Sequence, residues 1–520
     1  MQNDAFTVFG ESSAFGRMNY NAFVTAPFWI MDANGKAKPY LVREWTIDGS
    51  AKVIDAKLAV DQGISWHDGA PLTMADVLFT FDYLMNRSQS SYVADVESVE
   101  QTAMDSVRIV LKNPGAYQWI RLCAGYFSVL PKHIWERVED PLRYSDASAA
   151  TGCGPYRLAY VDKDADMGVY EAVAGSYLGR KIAVRKVIVR SYASHDTLVM
   201  ALKMGLVDAM YDYSNALEAT LAPGLMGIES LDPGMSDNTG NFQIVYGFRM
   251  PPTDDVAFRK AATLALDYEL LRVTIGGKFG RIPSLGVIAP PNLGFDPDIP
   301  ILRQDAEEAA RILDDAGYRD IDGDGMREDP EGNRIDLAVV PQYNRQKAAH
   351  YLRLCEIVVR CLDGIGIRAH LDRQSFANPD YNASIRKNGT YQIFIGYTSP
   401  GMALQTSAFY YFADSSITNQ WGTCDDPEFM GAFLERKQAA DEETYVQMTR
   451  ELQRINARIY MAAPLCWNRS FFPYRTDKYV GWIDYPGWGV INPDTWYVLS
   501  GKDNPCASDA PGEARVKPCR

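Results

Sequence analysis

Residues 66–81 read Trp-His-Asp-Gly-Ala-Pro-Leu-Thr-Met-Ala-Asp-Val-Leu-Phe-Thr-Phe. Trp66 closes an apolar run, and His67-Asp68-Gly69 makes a turn in which glycine supplies any left-handed position. Thr73 fits a helix N-cap, with Asp76 three residues on as its capping-box partner. Leu72 and Val77 occupy the two places of a hydrophobic staple. The stretch predicts a strand, a tight turn and a strongly capped helix from about 74 to 86. Its residues build the fold and need no chemical role.

The chain around it has 520 residues, 47% hydrophobic and 12% aromatic. That is enough for roughly two to four packed domains. A net charge of −14 argues against nucleic acid and anionic membrane surfaces, which want basic patches. No apolar run reaches the roughly 18 residues that span a bilayer. Residues 1–5 lack the basic and apolar regions of a secretory signal. An exported protein would thus be seen here as its mature chain, with or without a lipid anchor ahead of it. The eight cysteines include no CxxC pair, which disfavours zinc-ribbon and thioredoxin-like readings. Cys355 and Cys361 face different sides of a predicted helix and should not pair. Cys506 and Cys519 bracket a Pro/Gly/Ala/Ser-rich tail and can close a loop; the alternative is a set of buried free thiols.

Alternation predicts strands at 53–60 and 106–112; the turn at 151–156 feeds a further strand at 156–160, and 186–192 also reads as a strand. A helix over 196–204 follows, and the pattern is that of an α/β lobe. A strand at 243–249 ends in a Pro-rich break, and one helix is expected over 256–271. Residues 281–304 read as a long loop. A helix at 305–316 stops at Gly317. The strand 335–341 precedes a helix over 347–362, strands at 369–372 and 391–396, and a helix over 444–461. The aromatic-rich end, 467–496, reads as strands and turns.

The 66–81 stretch resembles a signature of the extracellular solute-binding proteins of bacterial ABC importers, the peptide/nickel/opine family (family 5). Thr151–Tyr156 is similar to that family's Gly-x-Gly-Pro-Tyr turn, with Cys153 in its middle. Ala201–Asp208, Pro252–Asp267 and Asp305–Tyr318 resemble three further segments, in the family's order, and the matches span about residues 40 to 480. The resemblance implies an α/β, two-lobed periplasmic binding protein fold of type II, in its large form, with an extra domain inserted into the first lobe. It implies residues 1–45 as the start of lobe I, 46–180 as the inserted domain, 181–250 as the rest of lobe I, 251–480 as lobe II, and 481–520 as the return to lobe I with the tail. The ligand would sit between lobes that close by a hinge.

By the same resemblance the stretch 397–405 lines the ligand site. Peptide-binding members carry an Asp there, and this chain has none before Asp414. An ordinary free peptide is therefore disfavoured, since a buried ammonium needs a partner. Tyr397, Thr398, Ser399 and Gln405 could bond a neutral or anionic ligand instead. The loop after Pro341 offers Tyr343, and Arg345 for a ligand carboxylate. Arg17, Tyr20 and Asn21 lie where the family's N-terminal segment approaches the ligand. Trp421, Trp467 and Trp488 are candidates for stacking, against the commoner fate of a core tryptophan.

Residues 320–331 match an EF-hand loop, with Asp320, Asp322, Asp324, Met326 and Glu331 as candidate ligands of a structural calcium. The following segment reads as a strand where an EF-hand has a helix. No other cofactor is expected.

The main rival class is a hydrolase. Neither H-E-x-x-H nor G-x-S-x-G occurs, and Ser194-His195-Asp196, being consecutive, cannot converge as a triad. The expectation is a monomeric, periplasmic or extracellular carrier. Its cargo would be peptide-like, with oligosaccharide, opine and metal-chelate alternatives, delivered to a membrane ABC permease.

Overall fold

The computed structural model describes residues 22–88, 90–141, 144, 146–212, 216–238, 240–344, 347–398, 408–414 and 422–503. The backbone divides into two compact units, one of residues 1–236, 437–442 and 470–520, the other of residues 237–436 and 443–469. Among the described residues, no helix is long and apolar enough to cross a membrane.

The first unit holds a four-stranded antiparallel sheet, in the order β1 (Val42–Ile47), β2 (Val53–Leu58), β4 (Ser106–Leu111), β3 (Val96–Ala103). The expected helix forms as α1 (Met74–Tyr83), and its last turn widens into a π-helical segment at Leu84–Ser88. Asp76 Oδ2 accepts the Thr73 N–H at 2.9 Å, and its Oδ1 accepts the Lys132 N–H at 2.9 Å. One carboxylate thus caps the helix and fastens the segment beginning at Lys132. Leu72 and Val77 are both buried, as a staple requires.

The signature turn is stitched to the second glycine motif. His67 donates its N–H to Gly152 O at 2.9 Å, and its Nε2 lies 3.0 Å from Gly154 O. Gly154 in turn donates to Val24 O at 2.8 Å. A Cβ on Gly152 would stand 1.9 Å from Val24 O, so the contact requires glycine. Tyr156 then opens an antiparallel sheet in the order β7 (Lys186–Arg190), β6 (Met167–Ala172), β5 (Tyr156–Asp162). The helix α2 (His195–Lys203) follows, with Ser194 as its cap.

The second unit is built on a five-stranded mixed sheet in the order β10 (Ala369–Leu371), β9 (Leu337–Pro341), β11 (Ile393–Thr398), β8 (Asn241–Tyr246), β12 (Ala462–Pro464). β9 runs parallel to β10 and β11, and β8 runs antiparallel to β11 and β12. Phe242, Ile244 and Tyr246 join one apolar core with α3 (Val256–Ala265) and α5 (Ala348–Asp363). Val245 joins another with Val340, Phe394 and two residues of α6 (Glu442–Ile459), Leu452 and Ile455. The single helix expected over 256–271 is two. Asp267 Oδ1 accepts the Leu270 N–H at 2.8 Å and starts a fresh helix, Tyr268–Gly276. α4 (Ala306–Asp315) matches its expectation, capped by Asp305 and stopped by Gly317 at φ +91°.

Cys355 and Cys361 are both free thiols, as are Cys123, Cys153, Cys424 and Cys466. Cys506 and Cys519 lie outside the described residues.

Burial of the His67 ring holds its pKa below the ordinary imidazole value. A group whose folded pKa is depressed stabilises the fold fully above its unfolded pKa of about 6.5, and that stability is lost as pH falls through the folded value. The urea midpoint is expected to fall between pH 7 and pH 5, and His67→Asn to flatten that dependence. Gly152→Ala should cost about 1–3 kcal/mol or more at any pH, read by the same urea titration.

Candidate functional site

In open α/β sheets ligands gather outside the carboxyl ends of the parallel strands. In the second unit those ends are Pro341 of β9 and Thr398 of β11, with the first residues of β8 beside them. Gln342 ties the edge together. Its Oε1 accepts the Tyr397 N–H at 2.8 Å and the Tyr351 hydroxyl at 3.0 Å. Burial raises the Tyr351 pKa, so its phenol stays a donor. Asn382, wholly buried, accepts the Tyr343 N–H at 3.2 Å and donates to Pro341 O at 2.7 Å. The loop after β9 is therefore held by side chains as well as by the sheet.

One face of this edge is aromatic. The Phe242 and Tyr397 rings lie 4.8 Å apart, and His350 stacks on Phe242 at 5.7 Å with planes 5° apart. Lys347, at the start of α5, sets its Nζ 3.9 Å from the Tyr397 ring centroid and 6.0 Å from that of Phe242.

The other face is polar and closed. Asn241 and Thr398 face each other, and the Thr398 Oγ1 lies 3.3 Å from both the Asn241 N and O. Gln243 is 0% exposed, yet among the described residues neither atom of its amide has a hydrogen-bond partner, and Asn241 Oδ1 also lacks one. Gln243 stands between Gly396 on β11 and Pro464 on β12, neither of which has a polar side chain to offer. Buried polar groups in folded proteins are nearly always paired, so these amide atoms call for a partner that the described residues do not supply.

Of the residues expected from sequence, Tyr343, Tyr397 and Thr398 are gathered at this edge. Trp467 and Trp488 are packed into the interior of their units, 6% and 2% exposed, against Phe295 and Tyr211 respectively. Arg17, Tyr20, Asn21, Arg345, Ser399, Gln405 and Trp421 lie outside the described residues. The sequence reading missed Lys347, two places beyond Arg345. It also missed Asn241 and Gln243, whose alternation with apolar residues suggests a solvent-facing side.

The acidic loop forms a different structure from an EF-hand. Glu328 bridges to Arg319 and Arg334, so the chain folds back on itself instead of entering a second helix. Asp320, Asp322 and the buried Glu328 come together, with Glu328 in the place expected of Glu331. Asp320 accepts the N–H groups of Gly323 and Gly325 at 2.7 and 3.0 Å, and Asp322 that of Asp324 at 3.1 Å. Asp324 accepts from Met326 N–H at 2.8 Å and pairs with Arg368 at 2.5 Å, and these donors hold its carboxyl below the usual range.

A family model described as bacterial extracellular solute-binding proteins, family 5, matches residues 36–420. A protein of Brucella suis named as a binding protein is 25% identical over 300 residues, which are 52% of this chain and 47% of that one. The chain spans about half the length of the curated relatives it matches. Among solved structures, NikA of Brucella suis in complex with Fe(III)-EDTA has a TM-score of 0.76 at 18% identity, covering 96% of this chain and 97% of its own. The mannohexaose-bound periplasmic oligopeptide-binding protein of Thermotoga maritima has a TM-score of 0.70 at 20% identity, covering 93% and 94%. These likenesses show the two-lobed fold of periplasmic binding proteins, and the match of the family model over most of its length shows that the chain belongs to family 5 of the bacterial extracellular solute-binding proteins.

Proposed function

We propose that this protein is the solute-capturing component of an ABC importer, acting in the periplasm or outside the cell as a monomer without catalysis of its own. The observation that carries the reading is the carboxyl edge of the second unit's sheet. It holds an aromatic face with a lysine and a closed face with orphaned amide atoms, in a chain of the solute-binding family. Such an edge recognises polar groups by hydrogen bonds and stacking. The Asp residue that would receive a free α-amino group is missing from the 397–405 stretch. The cargo is thus a blocked or modified peptide, or an opine, chelate or oligosaccharide. We also read residues 46–180 as the inserted domain of the family's first lobe.

The test is a thermal-shift panel of N-acetylated tripeptides, opines, nickel–histidine, Fe(III)-EDTA and mannohexaose. A captured cargo stabilises by about 2.7 kcal/mol at a hundredfold excess over its Kd. One class is expected to raise the melting temperature sharply. Turnover of any probe would overturn the carrier reading.

Gln243 offers a second test. Its unpaired amide is costly in the empty protein, so Gln243→Leu should stabilise by about 1–3 kcal/mol in urea unfolding while weakening capture of the panel's cargo. Stabilisation with no loss of capture would remove Gln243 from the site.

We read the 320–331 loop as held by its own N–H donors and by Arg368, with no ion required. EGTA and added calcium are both expected to leave the melting temperature unchanged. A fall in EGTA would assign a structural calcium to Asp320, Asp322 and Glu328.

A further inference from the structure

A sheet edge is where one chain can pair with another, and folded proteins blunt such edges with bulges, proline or shortness. Among the described sheets of three or more strands, five of the six edge strands are blunted. Register shifts interrupt β1, β3 and β5. β10 and β12 are three residues each, and β12 ends in Pro464. β7, with the sequence Lys-Val-Ile-Val-Arg, pairs with β6 over its whole length without a shift and contains no proline.

The inner bonds of β7 fix what its outer side presents. Ala172 N–H donates to Arg185 O at 2.9 Å, and Ser191 N–H to Asp166 O at 3.0 Å. Bonded residues alternate along an antiparallel pair, so Val187 and Val189 bond to β6 while Lys186, Ile188 and Arg190 turn their N–H and C=O groups outward. The same three residues are exposed, Ile188 at 55%. Ile188 ends a cross-strand row that runs through Val169 to Tyr160, itself 53% exposed.

Charge decides what such an edge accepts. Residues 172–195 carry five basic side chains and no acidic one, in a chain of 66 acidic and 52 basic residues. Glu171, opposite Lys186, pairs with Arg157 at 3.0 Å. A second copy laid antiparallel on β7 would set Lys186 against Arg190, and like charges directly opposite repel. An acidic strand meets no such opposition. We infer that β7 is a docking edge for an extended acidic segment of a partner protein, with acidic side chains beside Lys186 and Arg190 and an apolar one beside Ile188. Backbone bonds to these three residues supply the attachment, and the acidic–x–apolar–x–acidic spacing supplies the choice of partner.

The probe is fluorescein-labelled Thr-Glu-Thr-Val-Thr-Glu-Thr, titrated with the full chain and read by anisotropy. One control peptide has Lys for both Glu. The other carries N-methyl groups on both Glu and on Val, which removes the bonding donors at unchanged charge. Saturable binding of the acidic peptide and of neither control is expected, with slower hydrogen exchange over residues 184–192. Lys186→Glu combined with Arg190→Glu, both at exposed positions, should weaken that binding at least about tenfold and admit the lysine peptide. No binding of the acidic peptide overturns the inference. Equal binding of the N-methylated peptide overturns it too, because attraction between charges would then suffice. Sedimentation with phosphatidylglycerol vesicles, lost in the double variant and accompanied by no peptide binding, would give the strip to a lipid surface instead.

Discussion

All six residues of β8 are buried, and the second unit depends on that strand. It is hydrogen-bonded antiparallel to β11 on one side and β12 on the other, and it feeds a different apolar core from each face. A slip of one residue would exchange Phe242, Ile244 and Tyr246 with Asn241, Gln243 and Val245, putting two amides into the first core and three large side chains into the space that Val245 fills in the second. The strand's exit is equally constrained. A Cβ on Gly247 would stand 2.0 Å from Tyr391 O, so the chain leaves β8 by passing close against the segment that leads into β11.

A strand held so tightly can carry groups that do not stabilise it. Gln243 and Asn241 sit at the end of β8 that meets the carboxyl ends of the parallel strands, where their orphaned atoms cost stability that the two cores supply. Lys347 follows the same logic with charge in place of an amide. Its helix and the Gln342 clamp hold it at an edge where no described residue offers a counter-ion. Unsatisfied polarity set on rigid elements costs stability, and it is the kind of group that a bound solute can satisfy.

The first unit was the more legible in sequence. Its signature turn, the Asp76 cap and the two glycines at 152 and 154 are short-range features whose chemistry is written in adjacent residues. α4 was legible for the same reason, having a cap at one end and a left-handed glycine at the other. The split at Asp267 was not, because an aspartate inside an apolar periodicity reads as a surface position until its carboxylate is seen to cap the next turn. The acidic loop shows how a distant residue enters what its spacing alone describes. Its spacing suits an ion, but Arg368, more than 40 residues away, supplies the positive charge for Asp324.

By itself the sequence determined the family, the α/β class, the capped helices and the glycine-dependent turns, because each rests on local propensity or on a motif contained in a few neighbouring residues. It also put Tyr343, Tyr397 and Thr398 forward through resemblance, and the fold gathers these three at the carboxyl edge of one sheet. Only the tertiary structure decided that Asn241 and Gln243 are enclosed and not solvent-facing. Alternation along a strand reports which residues share a side, and never whether that side is covered. Only the tertiary structure set Lys347 above Tyr397 and Phe242, residues 50 and 105 positions away, since a contact across three elements is a property of their packing and not of any one of them.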